Sequence, residues 1–398
     1  MASGAWNASR ARAIAERERI DGFVAATPAN VLYSTGFWSP GGYLGTEPCF
    51  AIRSASSEAL PDLVIAVGPV DQVVDLNLSG SKVTTYGAFY WQVDSSRPLE
   101  PGDEYIRASA ALMRPTTGPV DALVEALRVR GLADARLAVD ERGFSPIDFD
   151  RLKQALPGAA LVPAYALFRE LRAVKTAEEV ELLGVIARIT EDAIGQALSI
   201  ASPGVTELDM SREVGSYMAA RDAIPLRIAI GFGDKAAHPN SIATDRRLDA
   251  VDVVRFDIGG RLDGYHSDLA RTAVIGGGPA DIRELYQAML RGQEAALGTL
   301  HPGVAVRHVF QVGMSAVRSS GVPGYERHHI GHGVGLEFYD EPVIDGGSTA
   351  VLEEGMVVNI ETPCYILGLA GVQVEDTVVV TRNGFRFLTS GKRPLYEV

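Results

Sequence analysis

Two acidic residues, Asp257 and Asp268, stand on either side of a predicted turn. The runs 251–259 and 265–275 are rich in β-forming residues, and the Asp263-Gly264 pair between them is typical of a hairpin turn. A turn centred just before Asp263 makes Asp257 and Asp268 cross-strand neighbours. We therefore expect these two carboxylates to face one another, as the ligands of a metal ion do.

A second pair of acidic residues, Glu361 and Glu375, follows the same logic. A hairpin whose turn is centred on Gly368 makes them cross-strand neighbours. Four carboxylates in one place repel one another, and two divalent cations would neutralise them. His332, in the glycine-rich segment 332–335, can bring an imidazole to such a site. Oxygen-rich ligation with a single nitrogen favours Mn²⁺, Co²⁺, Fe²⁺ or Zn²⁺ over metals that select thiolates.

The same residues have a plainer interpretation. Isolated Asp and Glu side chains are mostly solvated surface residues, and two carboxylate pairs can arise by chance. The metal-site hypothesis rests on both pairs and the histidine occurring in one order. The two cysteines, Cys49 and Cys364, lack CxxC spacing, so neither a disulfide scaffold nor a thiolate zinc site is indicated.

The order of these motifs resembles the pita-bread metallopeptidases, the group that includes methionine aminopeptidase, prolidase and aminopeptidase P, together with the related creatinase. The similarity is carried by FDIGGRLDGYHSDLART (256–272), HHIGHGVGLEFYDEP (328–342), NIETP (359–363) and GVQVEDTV (371–378). The segment NVLYSTGF (30–37) is similar to the start of the creatinase and prolidase N-terminal domain. We expect an α/β N-terminal domain at 1–170 and an α+β pita-bread catalytic domain, with a curved, mainly antiparallel sheet, at 171–398.

The resemblance also implies a dinuclear site and a mechanism. Two divalent ions per chain, manganese by preference with cobalt, zinc or iron as alternatives, would hold a bridging hydroxide that attacks a carbonyl carbon. Glu361 would also pass a proton to the departing nitrogen, while His238 and His328 would position the substrate or stabilise the oxyanion. The implied metal ligands are Asp257, Asp268, His332, Glu361 and Glu375.

Two positions depart from the proline-specific members of this group. Tyr339 stands where those enzymes usually have a histidine, and Gln373 stands where they usually have an arginine two residues before the last metal ligand. Tyr339 cannot be a cation near neutral pH, and Gln373 cannot form a charged fork. We assign both residues to substrate binding. The metal chemistry is better supported than specificity for proline.

Three functions are compatible with these observations. The first is a dinuclear metal-dependent hydrolase of a peptide bond of the Xaa-Pro type, or of a related amide. The second is a small-molecule carbon–nitrogen hydrolase like creatinase or ectoine hydrolase, or a lyase, which the departures at Tyr339 and Gln373 favour. The third is a non-catalytic binding module, a role that gives no reason to keep a clustered acidic site. A homodimer is a further expectation from the resemblance.

The elements that must position these residues are indicated by caps and periodicity. Thr176 with Glu179, and Thr206 with Asp209, are capping-box patterns that begin helices. In the second domain we predict strands at 227–231, 251–259, 265–275, 357–362 and 372–381, and helices at 281–298 and 304–319. In the first domain we predict helices near 7–20, 119–131 and 146–155, and strands at 22–26, 30–33, 49–53, 62–67 and 135–139.

Composition excludes several classes of protein. The 398-residue chain has 37 Lys and Arg against 50 Asp and Glu, a formal charge of −13, which argues against a phosphate-binding surface for nucleic acid. No apolar run approaches the ~20 residues of a transmembrane helix, and the first residues lack an apolar signal core. We therefore expect a cytoplasmic protein without a nucleic-acid or membrane partner.

Overall fold

A computed structural model describes residues 5–38, 41, 45–55, 60–78 and 80–398. The chain divides into two compact units, Met1–Leu171 and Arg172–Val398. None of the helices in the described ranges is both long and apolar enough to cross a membrane.

The first unit has an α/β architecture. Its described strands form one mixed sheet in the order β4-β3-β2-β1-β5-β6, in which β1 pairs antiparallel with β2 and parallel with β5. The strands are β1 (Gly22–Ala25), β2 (Phe50–Ser54), β3 (Asp62–Ala66), β4 (Lys82–Tyr86), β5 (Arg136–Val139) and β6 (Ala160–Pro163).

The core of the first unit lies between this sheet and its helices. Leu123 and Leu127 are fully buried in one apolar cluster with Val24 and Leu137 of the sheet. Burying a leucine side chain completely contributes about 1.5–3 kcal/mol to the free energy of folding, so this apolar cluster stabilises the unit. The helices are Ala8–Glu18, Pro28–Thr35, Val70–Asp75, Pro101–Ala111, Pro119–Val129, Pro146–Ala155 and Tyr165–Ala173, the last of which crosses the division between the units.

One predicted strand of the first unit is wrong. Residues 30–33 lie in the helix Pro28–Thr35. Pro28 occupies the first helical turn, and Gly36 follows the last turn with a φ of 77°. These start and stop signals prevail over the β-forming side chains between them, because the helix is only two turns long and its ends decide it.

The second unit is α+β with mainly antiparallel sheets. One sheet has the order β18-β10-β8-β7, with β9 beside β8, and another has the order β12-β11-β13-β16-β17. The strands are β7 (Ile224–Phe232), β8 (Asp252–Leu262), β9 (Tyr265–His266), β10 (Leu269–Ile275), β11 (Gly331–Gly333), β12 (Asp340–Val343), β13 (Val357–Glu361), β14 (Cys364–Ile366), β15 (Ala370–Val372), β16 (Glu375–Thr381), β17 (Gly384–Phe387) and β18 (Tyr396–Glu397).

The first two helices of the second unit begin where their caps predict. Thr176 and Thr206 each accept a hydrogen bond from the backbone of the third helical residue, whose carboxylate bonds back to the cap. Both predicted capping boxes are therefore confirmed. The helices are Ala177–Ser199, Glu207–Ala219, Ala280–Leu297 and Val306–Ser319.

Each sheet of the second unit turns one apolar face to helices. On β8, Phe256 and Ile258 are buried in a cluster with residues of the first two helices of the unit. On β13, Val358 and Ile360 are buried in a cluster with residues of the last two helices. Because side chains alternate along a strand, Asp257 of β8 projects from the opposite face of its sheet, away from the helices.

The hairpin around Gly368 has the predicted register. Glu361 pairs directly with Glu375, and Ile366 pairs with Ala370 at the tip. Gly368 itself has a φ of 81°, which glycine adopts without strain. The expectation that Glu361 and Glu375 are cross-strand neighbours is confirmed.

The other hairpin differs from its prediction at the turn. Asp263 and Gly264 are themselves the two turn residues, with φ values of 49° and 90°, as a type I′ turn requires. Asp257 is consequently opposite Ala270, so the predicted direct pairing of Asp257 with Asp268 is wrong. A shift of two residues keeps a side chain on the same face, so the two carboxylates are diagonal neighbours instead.

Candidate metal centre

Three of the predicted ligands converge in the second unit. Asp268, His332 and Glu375 each offer one ligand atom, and these atoms lie within 4.8 Å of one another. All three residues are buried. The two sheets meet here, because the side-chain amide of Asn359 on β13 donates a 3.2 Å hydrogen bond to the backbone carbonyl of Asp268. The cluster is therefore held by strands of both sheets rather than by one loop.

Each of these three side chains has a buried polar atom that lacks a hydrogen-bond partner within the described part of the chain. The atoms are Asp268 Oδ1, His332 Nε2 and Glu375 Oε1. Leaving such an atom unsatisfied costs about 1–3 kcal/mol. A divalent cation would satisfy all three at once, and two oxygens with one nitrogen suit the metals expected from the sequence.

The geometry of His332 leaves its Nε2 atom available to bind a metal ion. Its Nδ1 lies 2.9 Å from the carbonyl oxygen of Gly333, to which Nδ1–H donates in the corresponding neutral tautomer. The lone pair is then on Nε2, which lies 3.5 Å from Asp268 Oδ2. A backbone carbonyl that fixes the other ring nitrogen is the usual arrangement of a ligating histidine. The donor set therefore fits a metal ion.

Glu361 lies beside this cluster with both carboxylate oxygens engaged. Its Oε2 accepts a 3.1 Å hydrogen bond from Gln373 Nε2, and its Oε1 lies 3.2 Å from His329 Nδ1. Glu361 is also buried. It would contribute to a metal site by giving up one of these contacts or by using a free lone pair.

Asp257, the fifth predicted ligand, is held by arginines. Arg227 binds it through two parallel contacts, Nε to Oδ1 at 2.9 Å and Nη2 to Oδ2 at 2.8 Å. Arg255 Nη1 lies 3.4 Å from Oδ2. The structure thus brings three of the five predicted ligands within reach of one ion, and it places the other two next to them with different partners.

Burial raises the pKa values of the clustered carboxyl groups. The pKa of Asp268 is raised to about 6 and that of Glu361 to about 7, in each case chiefly by burial. The pKa of Glu375 lies well above its ordinary range because of burial and the carboxylates of Asp268, Glu361 and Asp257. Protons and metal ions therefore compete for these oxygens around neutral pH.

The pKa of His332 is also raised, although burial acts on a histidine in the opposite direction from its action on a carboxyl group. Burial lowers the pKa of His332, but contact with the Asp268 carboxylate and the nearby charge of Glu361 more than offset this, and the pKa is raised. A proton on Nε2 and a metal ion at Nε2 are alternative ways to compensate the same negative charge. Metal binding would therefore expel this proton.

The two histidines assigned to substrate both lie at the surface. His238 follows a short helical turn, Gly233–Ala237, and its side chain is exposed. Its carbonyl oxygen accepts a 2.6 Å hydrogen bond from Arg255 Nη2, which ties this segment to the residues around Asp257. His328 is also exposed, with its ring edge-on to His329 at a centroid distance of 4.3 Å.

His329, rather than its neighbour His328, contacts Glu361. It is buried, and burial together with nearby positive charge lowers its pKa to about 3, so the ring is neutral. Successive side chains of an extended segment point to opposite sides. The adjacent pair of histidines therefore indicates that one of them faces inward, but nothing in the sequence says which.

Tyr339 and Gln373 also lie beside the cluster. The ring of Tyr339 stacks on that of His332 with centroids 3.8 Å apart, and burial raises the pKa of Tyr339, so its hydroxyl stays protonated. Gln373 is buried and accepts a 3.0 Å hydrogen bond from Arg255 Nη1 while donating to Glu361. The amide of Gln373 therefore connects the Arg255 cation to Glu361.

Arg227 and Arg255 were not among the residues singled out in the sequence. A signal for Arg255 exists, since it lies two residues before Asp257 on a buried strand and must share its face. Arg227 lies on β7, and its proximity to Asp257 depends on the pairing of β7 with β8. That pairing joins segments separated by about twenty residues, so local pattern does not reveal it.

Comparison with known proteins identifies the family. The model of metallopeptidase family M24 matches residues 181–382, just over half of the chain. An uncharacterized peptidase of Bacillus subtilis (strain 168), YqhT, is 26% identical over 94% of this chain and 95% of its own length. A Xaa-Pro dipeptidase of Pyrococcus furiosus is 34% identical over 58% of this chain, and the match spans 66% of that relative's length.

Solved structures show the same architecture along the whole chain. Dipeptidase PepE from Mycobacterium ulcerans superposes with a TM-score of 0.79 at 26% identity, covering 98% of this chain and 96% of its own. A Xaa-Pro dipeptidase from Bacillus anthracis gives a TM-score of 0.79 at 22% identity, covering 98% of this chain and 99% of its own, a likeness of fold. The chain belongs to the M24 metallopeptidases and has their pita-bread fold.

Proposed function

We propose that the chain is a dinuclear metal-dependent hydrolase that cleaves Xaa-Pro dipeptides or closely related short peptides. The observation that carries this proposal is the convergence of three buried, unsatisfied ligand atoms from Asp268, His332 and Glu375 within 4.8 Å. Membership of a metallopeptidase family agrees with a divalent cation at that position. Glu361 and Asp257 would complete the set of ligands.

The ions, when bound, would supply Lewis acidity and lower the pKa of a water molecule toward neutral pH. The protein's own contribution begins at Glu361. Its Oε2 accepts a hydrogen bond from Gln373, and we assign Glu361 the role of taking a proton and returning it to the departing nitrogen. Such proton transfer is typically worth ~10²–10⁴ in rate.

The surrounding rings would orient the substrate. His238 and His328 are exposed and free to contact a peptide. Tyr339, about half exposed and protonated, can donate a hydrogen bond to a carbonyl oxygen. The neutral ring of His329 is buried beside Glu361, with its Nδ1 3.2 Å from Oε1.

Dipeptides with proline in the second position are proposed because relatives carry that name. Two of them, from Pyrococcus furiosus and Pyrococcus horikoshii, are called Xaa-Pro dipeptidases and are 34% and 31% identical over the matched regions. A homodimer and a cytoplasmic location are part of the same proposal. The homodimer follows from the resemblance to this family.

A second candidate is a hydrolase of small carbon–nitrogen compounds, in the manner of creatinase. The observation that favours it is that no cationic side chain stands at Tyr339 or Gln373, where proline-specific relatives usually have one. Neutral side chains at these two positions suit an uncharged amide as well as they suit a peptide.

A substrate panel separates these candidates. Protein with measured metal content is incubated with Mn²⁺, Co²⁺ or Zn²⁺ and with Xaa-Pro dipeptides, longer Xaa-Pro peptides and small amides. We expect cleavage of the dipeptides, and we expect Glu361→Gln to reduce turnover by at least ~10² while retaining the fold. Glu284→Gln, an exposed substitution on the helix Ala280–Leu297, is the matched control. Metal-loaded protein that cleaves only small amides would establish the second candidate.

A further inference from the structure

Arg227 binds the carboxylate of Asp257 through the Nε and Nη2 atoms of its guanidinium. The two contacts, at 2.9 and 2.8 Å, use both oxygens of Asp257. Asp257 is buried, whereas the Arg227 side chain keeps 34% of its surface exposed. A planar fork on both oxygens is the strongest geometry an arginine can make with a carboxylate.

The register of the strands places Arg227 there. Ala229 of β7 is opposite Asp257 of β8, and Arg227 lies two residues earlier on the same strand, so its side chain shares the face of Asp257. A bulge between Pro225 and Arg227 locally bends β7. The pairing of β7 with β8 therefore places the Arg227 guanidinium beside the Asp257 carboxylate.

Arg227 has further acceptors outside the acidic cluster. Its Nη2 lies 3.2 Å from the carbonyl oxygen of Pro239, and its Nη1 lies 3.2 Å from Asn240 Oδ1. These contacts come from the segment that follows β7. A guanidinium that leaves Asp257 therefore keeps acceptors that are not metal ligands.

The guanidinium and a metal ion need the same two oxygens. A guanidinium has no lone pair to offer a cation, and it repels one at close range. By contrast, the free atoms of Asp268, His332 and Glu375 have no such competitor among the described side chains. Asp257 therefore accepts a cation less readily than the group formed by Asp268, His332 and Glu375.

We propose that Arg227 is a resident counter-ion that competes with the second divalent ion for Asp257. The first ion binds at Asp268, His332 and Glu375. The second ion binds only when the Arg227 guanidinium leaves Asp257, which weakens the second step relative to the first. This inference rests on the proposed dinuclear function.

Binding of Mn²⁺ to metal-free protein tests the proposal without any assay of activity. Free Mn²⁺ is followed by electron paramagnetic resonance, and the heat of binding by calorimetry. Wild-type protein should bind two ions in two distinct steps. Arg227→Met should tighten the second step at least tenfold and change the first by less than threefold, because only the second step displaces the guanidinium. Arg212→Met, which removes an exposed arginine paired with Asp209, should change neither step.

A second variant guards against loss of the fold. Arg227→Lys keeps the charge but loses the fork, so its second step should be intermediate between wild type and Arg227→Met. A second step that is unchanged or weaker in both variants overturns the role of Arg227 and leaves the metal-dependent function in place. Wild-type protein that binds no Mn²⁺ overturns the proposed function as well.

Discussion

The buried amide of Gln373 connects a cation to the carboxylate that is proposed to move the proton. Arg255 is fully buried and donates to Gln373 Oε1 at 3.0 Å, while Gln373 Nε2 donates to Glu361 Oε2 at 3.1 Å. The Tyr365 hydroxyl also donates to Gln373 Oε1, at 3.2 Å. The orientation of this amide is thereby fixed, since its oxygen faces two donors and its nitrogen faces an acceptor.

Gln373→Met removes that connection at nearly constant volume. It leaves Arg255, Tyr365 and Glu361 each without one hydrogen-bond partner, which costs about 1–3 kcal/mol per buried group. We expect kcat to fall by about 10- to 100-fold with bound metal unchanged, measured by steady-state kinetics on protein of known metal content. Gln287→Met, on an exposed helix position, is the control. Turnover within twofold of wild type would show that Gln373 does not position Glu361.

For individual residues, the sequence indicates which side chains belong to the site better than it indicates the contacts they make. Glu361 and Glu375 were predicted to pair, because one short hairpin determines their register. The partners His329 and Arg227 could not be predicted, because their contacts depend on which side of an extended segment faces inward and on strand pairing, whereas Arg255 had a signal in its place two residues before Asp257. Side-chain orientation in irregular segments has no periodic signal.

Among the elements, the hairpin with Asp263-Gly264 shows how turn chemistry fixes register. A type I′ turn requires positive φ at both central residues, which Asp and Gly supply, and the turn must therefore be centred on the pair itself. Centring it one residue earlier moves every predicted pair along the strand by two. This error leaves each side chain on the predicted face of the sheet but gives it the wrong cross-strand partner. The two carboxylates are therefore still diagonal neighbours.

The helix Ala177–Ser199 carries a buried acid in its capping box. Glu179 accepts hydrogen bonds from the Thr176 backbone and the Tyr265 hydroxyl, yet burial raises its pKa from 4.5 to about 7. The folded protein therefore binds this proton more tightly than the unfolded chain. The resulting stabilisation is complete below about pH 4.5 and is lost as the pH rises through about 7.

Glu179→Gln removes this titration and keeps one acceptor oxygen for the Thr176 backbone, while the new amide nitrogen can donate to the Tyr265 hydroxyl oxygen. We expect the variant to gain stability relative to wild type between pH 5 and pH 8, by about 1–3 kcal/mol. Urea unfolding of metal-free protein at both values measures the difference. Glu178→Gln, the exposed neighbour, should show the pH dependence of wild type. A Glu179→Gln curve parallel to wild type would mean that Glu179 stays ionised in the fold.

Element boundaries were largely predictable from the sequence. Capping boxes located the starts of the helices Ala177–Ser199 and Glu207–Ala219, and β-rich runs located the strands that carry the site. The strand predicted at 30–33 is wrong because the proline and glycine at the two ends of this short helix determine its structure more than the β-forming residues between them. Which sheet each strand of the second unit joins was not predictable, since strand order depends on contacts far apart in sequence.

For the whole molecule, the acidic cluster carries an energetic cost and is the proposed basis of function. Asp257, Asp268, Glu361 and Glu375 are all buried in the second unit and account for four of the 50 acidic residues. Burying this much negative charge without a cation is unfavourable, as the raised pKa values of three of these groups indicate. Metal binding would relieve this cost and make hydrolysis possible.

The central claim is that hydrolysis depends on divalent ions held by this cluster. The most direct measurement is a titration of metal-free protein with Mn²⁺ from zero to two equivalents, in which bound metal and hydrolysis of Leu-Pro are determined on the same samples. We predict no turnover without metal, a rise that follows the bound ions, and no rise in Glu361→Gln. Full turnover by protein shown to contain no metal would contradict the account.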